Sequence, residues 1–280
     1  MLNMSLRINN QGNINQIMAN LRKANESLSS ELGRMSSGKR IEKAADDTAG
    51  LSMGTKIEAF VRSQRQAIRN GNDGVSFVQT AEGGLTEISN ILTRMRELTI
   101  QAGSDTVGEN ERGFLDKEYQ ALLTEIDRIA EATSFNGTNV INGDGKGELN
   151  FHVGSFRGEE NVITFDTDGT YSDTSRLGVR GTGILDKFEA LDSVQSIDQA
   201  IENLSGQRAV LGALQSRLQY AVANLDVSVL NHEKMRSVIE DLDVAESSAK
   251  IATENIRKNA AEASLAHATN IPKSALKLIS

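Results

Sequence analysis

The sequence predicts a mainly α-helical fold, a long antiparallel helical bundle or coiled coil with a small β-hairpin region in mid-chain. Three observations carry this. The stretch from Ala44 to Ala102 contains no proline and repeats apolar residues three or four positions apart, which places them on one helix face. The 280 residues include one proline, Pro272, no tryptophan and only 4 % aromatics. Helices therefore run without their main stop signal, and the flat side chains that dominate globular cores are scarce. Between Asn136 and about Gly183 the chain becomes glycine-rich and the apolar period changes to two, the signature of strands.

Taken in order, Ile14, Leu21, Leu28 and Met35 recur at seven-residue spacing, with Ile17 and Ala24 in the second seam position and Glu31 breaking it. This is a heptad pattern seeking a partner helix. Ser36 to Arg40 then reads as a junction. In the long stretch Leu85, Ile88, Leu92 and Met95 form a stripe widened by Ile91 and Leu98. An unbroken helix there would be roughly 85–90 Å long, so other long helices must lie beside it. Gly50, Gly54, Gly71, Gly74, Gly83 and Gly84 interrupt it, each at a cost of roughly 1 kcal/mol against alanine. A break would fall at Asn70–Gly74, whereas glycines that admit close helix contacts leave the helix continuous or slightly kinked, which is the expectation.

Ser104 to Glu111 is a polar connection. Leu115, Leu122, Ile126 and Ile129 then resume helical spacing to about Thr133, and the short link makes the two helices antiparallel neighbours. Apolar residues alternate in Glu148–Val153 and again in Asn161–Asp166, around GSFRGEE, which reads as a β-hairpin. Helical spacing returns from about Ser196, with one heptad row of Leu214, Ala221, Ser228, Met235 and Leu242 and another of Leu218, Leu225, His232 and Ile239. The tail from Val244 is alanine-rich until Ile271, Ala275, Leu276 and Ile279. Both chain ends carry amphipathic helices marginal alone, expected to order on binding. The expected domains are residues 1–43 with 236–280, and a rod of 44–235 that includes a hairpin segment at 136–185.

Several chemistries are disfavoured. A net charge of −8 argues against nucleic acid as a partner, and the absence of cysteine excludes disulfides and thiolate metal sites. No eighteen-residue apolar window suggests membrane insertion, and MLNMSLRINNQGNINQ lacks the pattern of a cleaved signal. Asp46 and Asp47 are adjacent, so on a helix they diverge by about 100°, and they read as capping residues. Aligning Gly169 with a calcium-loop glycine puts Thr164 and Ser175 where ligands belong, so Asp166–Gly169 reads as a turn. His152, His232 and His267 lie in separate segments without metal spacing. Asn136-Gly137-Thr138 fits a glycosylation acceptor, but Asn-Gly is first a turn signal. No catalytic, cofactor-binding or metal site is expected.

The assembled motifs resemble those of bacterial flagellins. They are SSGKRIEKAADDTAGLSMG, RNGNDGVSFVQTAEGGLTEISNIL, RMRELTIQA, EIDRIAEATSFNGTNVI, LGALQSRLQYAVANL and IEDLDVAES, in that order. The resemblance implies a short form without outer variable domains, whose terminal helices pair as the inner tube of an extracellular filament used for swimming. It implies self-assembly through Ile14, Ile17, Leu21, Leu28, Met35, Leu242, Ile271, Leu276 and Ile279. It also implies an export chaperone, a type III export apparatus, and the filament cap and hook–filament junction proteins as partners. Arg94, Leu98 and Glu118 match positions that the vertebrate innate flagellin receptor recognises in some members, against a plain reading of Arg94 and Glu118 as solvated or inter-subunit charges. The other readings weighed are a hook–filament junction protein and an intracellular coiled-coil adaptor. The chain departs from the family at MLNMSLRINNQGNINQ and at NIPKSALKLIS.

Overall fold

The computed structural model describes residues 11–142 and 147–279, of which residues 168 and 271–279 are described by backbone alone. In chain order the elements are α1 (Gln11–Ser37), α2 (Thr48–Ala102), α3 (Glu109–Ala132), β1 (Ser134–Phe135), β2 (Thr138–Asn139), β3 (Glu148–His152), β4 (Val162–Asp166), α4 (Thr174–Leu177), α5 (Lys187–Glu240) and α6 (Val244–Ile279). They form two compact units, Met1–Ala59 with His232–Ser280, and Phe60–Asn231. The division falls within α2 and α5, each of which contributes to both units.

The unit Phe60–Asn231 holds the main core. Leu85, Ile88, Leu92, Met95 and Leu98 of α2 are fully buried, together with Tyr119 and Ile126 of α3 and Ile197, Leu204, Leu211 and Leu218 of α5. The apolar stripe seen in the sequence is thus the seam of a three-helix packing, whose non-directional stabilisation scales with the apolar area it removes from water. Strands β3 and β4 pair antiparallel from Glu148↔Asp166 to His152↔Val162. Their inward residues Phe151 and Phe165 bring their rings to 5.9 and 6.3 Å from that of Phe77, so the hairpin closes one end of this core.

Helix α2 is continuous through all its glycines. A Cβ at Gly71 would lie 2.6 Å from Val222, one at Gly74 2.9 Å from Phe151, and one at Gly84 2.7 Å from Thr133. Within the other unit, Gly50 abuts Ile41 and Gly54 abuts Glu240. These positions are close approaches of neighbouring groups, and the packing they allow offsets the lost helix propensity. Gly83 alone of the six faces open space.

Asn136 and Gly137 have φ of 50° and 75° and join β1 to β2, as the tight hairpin turn read from Asn-Gly requires. Asp47 receives the Gly50 amide at 2.8 Å, and Asp46 receives those of Glu42 and Lys43 at 3.2 and 3.0 Å. Asp47 therefore caps the start of α2, as capping predicts, whereas Asp46 closes the preceding turn back onto residues 42 and 43. Helix α5 begins at Lys187, well before the expected Ser196. Its first turn closes through the Ala190 amide on the Asp186 carbonyl, while Phe188 and Leu191 are exposed. The residues it turns toward the core there are the small Ala190 and the polar Ser193, so the apolar periodicity that marks a helix is faint.

Candidate assembly surfaces

In the unit of chain ends, α1 packs along α6. The residues of α1 that turn inward include Ile14, Ile17, Leu21, Ala24, Leu28 and Glu31, from the heptad read in the sequence, together with Ser27, Gly33 and Arg34. On α6 the inward residues are Ser247, Ile251, Glu254, Lys258, Ala261, Leu265 and Ala268, spaced alternately by four and three. This second seam was missed because three of its members are polar and hide the pattern. The fourteen-residue interval from Ile251 to Leu265 was the available signal.

Glu31 does not break the seam. Its carboxylate accepts from the hydroxyl of buried Ser247 at 3.0 Å and from Arg34 at 3.2 Å. Met35 lies beyond the seam and is 42 % exposed, because Ser37 ends α1 two residues later. Leu242 is half-buried and uses its amide to bond the Gly38 carbonyl at 3.0 Å. Helix α6 carries Ile271, Leu276 and Ile279, whose side chains lie outside the described residues.

The turns that follow α1 and α5 are tied together. Lys39 bridges Asp241, the Arg40 amide reaches the Glu240 carbonyl at 2.7 Å, and the Arg40 guanidinium donates to the Ile239 carbonyl at 2.7 Å. The last groups of a helix lack internal partners, and Arg40 caps them with charge of the favourable sign. Asp46, hydrogen-bonded by two backbone amides and next to Arg34, is held below the ordinary aspartate range, as hydrogen bonds to the charged form require.

The α1–α6 pair buries little apolar surface of its own. Ala24 and Ala268 are its fully buried apolar residues, whereas Met18, Leu32, Val244 and Ile256 are exposed. A trough of about 410 Å³ runs past Ala24 and Ala261, between Lys23 and Arg257. Two helices sharing so small an interior expose apolar area that further helices can cover.

On the other unit, Arg94 of α2 donates to Glu118 of α3 at 2.8 and 3.0 Å, and to Glu97 at 3.1 Å. Both members of the Arg94–Glu118 pair are close to half-exposed. Leu98 was expected beside them at the surface, but its exposure is 0 %. One turn after Arg94, its side chain points into the three-helix seam, so it offers no contact surface. Among the described residues, no three His, Asp or Glu gather where a metal ion could be held, and no helix is long and apolar enough to cross a membrane.

The profile described as the bacterial flagellin N-terminal helical region matches residues 8–146, and that of the C-terminal helical region matches residues 194–279. A flagellin of Halalkalibacterium halodurans is 36 % identical over 88 % of this chain and 89 % of its own length. One from Bacillus subtilis is 31 % identical over 98 % and 100 %, and a flagellar filament core protein of Brachyspira hyodysenteriae is 34 % identical over 97 % and 99 %. Among solved structures, Bacillus cereus flagellin superposes with a TM-score of 0.50 at 31 % identity, covering 56 % of this chain and 88 % of that one.

Proposed function

The chain belongs to the bacterial flagellin family, and from that premise we propose how it builds its filament. It is a structural subunit of the extracellular flagellar filament, and it polymerises with copies of itself. The observation that carries the assembly mechanism is the thin seam of α1 and α6, with Met18, Leu32, Val244 and Ile256 left exposed. Neighbouring copies cover these residues, together with Met35, Ile271, Leu276 and Ile279. Contacts of this kind are heterologous, and a rotation that does not close them into a ring continues as a helix. The terminal unit supplies the inner tube.

The role is structural, and we assign the chain no catalytic step. Further partners follow from family membership: an export chaperone, the type III export apparatus, and the cap and hook–filament junction proteins. For recognition by an innate receptor, Arg94 and Glu118 are the accessible pair, while Leu98 holds α2 in position beneath them. Deletion of residues 241–280 tests the mechanism. The truncated chain keeps the core of Phe60–Asn231 and its helical circular dichroism but forms no filaments in electron micrographs. Filaments of normal appearance from that truncation would overturn the reading. Abundance in sheared flagella separates a main subunit from a junction protein, since the main subunit dominates the preparation.

A further inference from the structure

A cleft of about 330 Å³ opens between α2, α5 and the β3–β4 connection. Gln64 forms its floor and is only 7 % exposed. The Gln64 amide nitrogen donates to the Ser228 hydroxyl at 2.7 Å, but its Oε1 has no hydrogen-bond partner, and neither has the buried Oγ of Ser155. Leaving a buried polar atom unpaired costs about 1–3 kcal/mol, and a donor that reaches these atoms recovers part of that free energy. Glu160 lines the same space, and no Lys, Arg or His does. The cleft is therefore built for a group that is positive and donates hydrogen bonds. Its lip is Phe156, whose ring packs against Phe60 at 5.3 Å while remaining 60 % exposed. An aromatic face at the rim receives a methylene stem or the cation itself.

We propose that this cleft binds an alkylammonium group, and that its occupant in the filament is a lysine side chain of a second copy of this chain. An ammonium carries three donors and no acceptor, which suits a cleft lined by the acceptors of Gln64, Ser155 and the Glu160 carboxylate. A second copy is the natural source because self-assembly sets copies against one another at high local concentration, and this step rests on the filament reading above. The cation chemistry itself does not.

Two experiments separate these parts. In the first, n-butylammonium, a lysine side-chain mimic, is titrated into the full-length chain held below its polymerising concentration and followed by NMR. The resonances of Gln64 and Ser155 shift at millimolar concentration, and the shifts are lost in Gln64→Met and reduced in Ser155→Ala. No shift in the parent chain overturns the cation site, whether or not the chain polymerises. In the second, the critical concentration for polymerisation is compared between the parent and Gln64→Met, with thermal melting of each monomer confirming an intact fold. The variant needs roughly tenfold more protein, the consequence of losing one hydrogen bond to a charged group, and n-butylammonium raises the critical concentration of the parent. An unchanged critical concentration overturns the second copy as occupant, and a parent that never polymerises overturns the filament reading instead.

Discussion

Gly83 and Gly84 are neighbours in α2, yet alanine is expected to act on them with opposite signs. Both substitutions gain helix propensity of about 1 kcal/mol, since glycine in a helix interior loses more backbone freedom. At Gly83 nothing lies within 4 Å of the added carbon, so Gly83→Ala stabilises the fold by about 0.5–1 kcal/mol. At Gly84 the carbon meets Thr133 Oγ1 at 2.7 Å and Ile141 Cδ1 at 2.9 Å. Neither neighbour yields easily. The Thr133 hydroxyl is committed to the Ile129 carbonyl at 2.7 Å, and Ile141 is fully buried.

Overpacking of this kind costs about 1–3 kcal/mol, which exceeds the propensity gain. Gly84→Ala is thus expected to be less stable than Gly83→Ala by about 1–3 kcal/mol. Urea unfolding followed by circular dichroism below the polymerising concentration reads the difference as a shift in midpoint at constant slope. Equal midpoints for the two variants would refute the view that these glycines are sites of close packing. Combining Gly84→Ala with Thr133→Ser, which removes the methyl that lies 3.1 Å from the added carbon, should recover part of the loss.

Other outcomes follow from the same geometry. Leu98→Ala should destabilise the chain by about 3 kcal/mol, within the range for truncating a buried leucine, and lower its melting temperature. Glu118→Ala should leave melting unchanged while altering whatever binds the exposed face. Tyr119→Phe removes a buried hydroxyl bonded to Thr182 at 2.6 Å and should cost about 1 kcal/mol in urea unfolding. Burial pushes the Tyr119 hydroxyl above the ordinary tyrosine value. The stability it contributes is therefore fully present below that value and is lost as pH rises through the folded one, which alkaline titration compared with Tyr119→Phe detects. Asp46 has the opposite sign, because its folded value is depressed. Hydrogen-exchange protection of the Glu42 and Lys43 amides should persist above the ordinary aspartate range and fall as pH drops through the lower folded value. Asp46→Ala should lack it throughout.

Much of this protein was legible before any coordinates. A helix repeats every 3.6 residues and a strand every two, so Leu85–Leu98 and Leu149–Phe165 declared their elements through spacing alone. Asn136-Gly137 declared its turn because few other residues adopt positive φ there. What a local pattern cannot carry is the identity of the group on the other side. Whether Gly84 was a break or a contact depended on Thr133 and Ile141, and whether Leu98 faced a receptor or a core depended on helices α3 and α5. The α6 seam stayed hidden because Ser247, Glu254 and Lys258 take inward places only in the company of α1, where Glu31 meets Ser247. The unpaired Gln64 oxygen was likewise invisible, since a polar side chain on a helix looks solvated until distant strands close over it. Sequence alone determined the periodicities and turns, which depend on neighbours within a few residues. Tertiary structure decided burial and pairing, because these depend on atoms far apart in the chain that only the packed fold brings within contact distance.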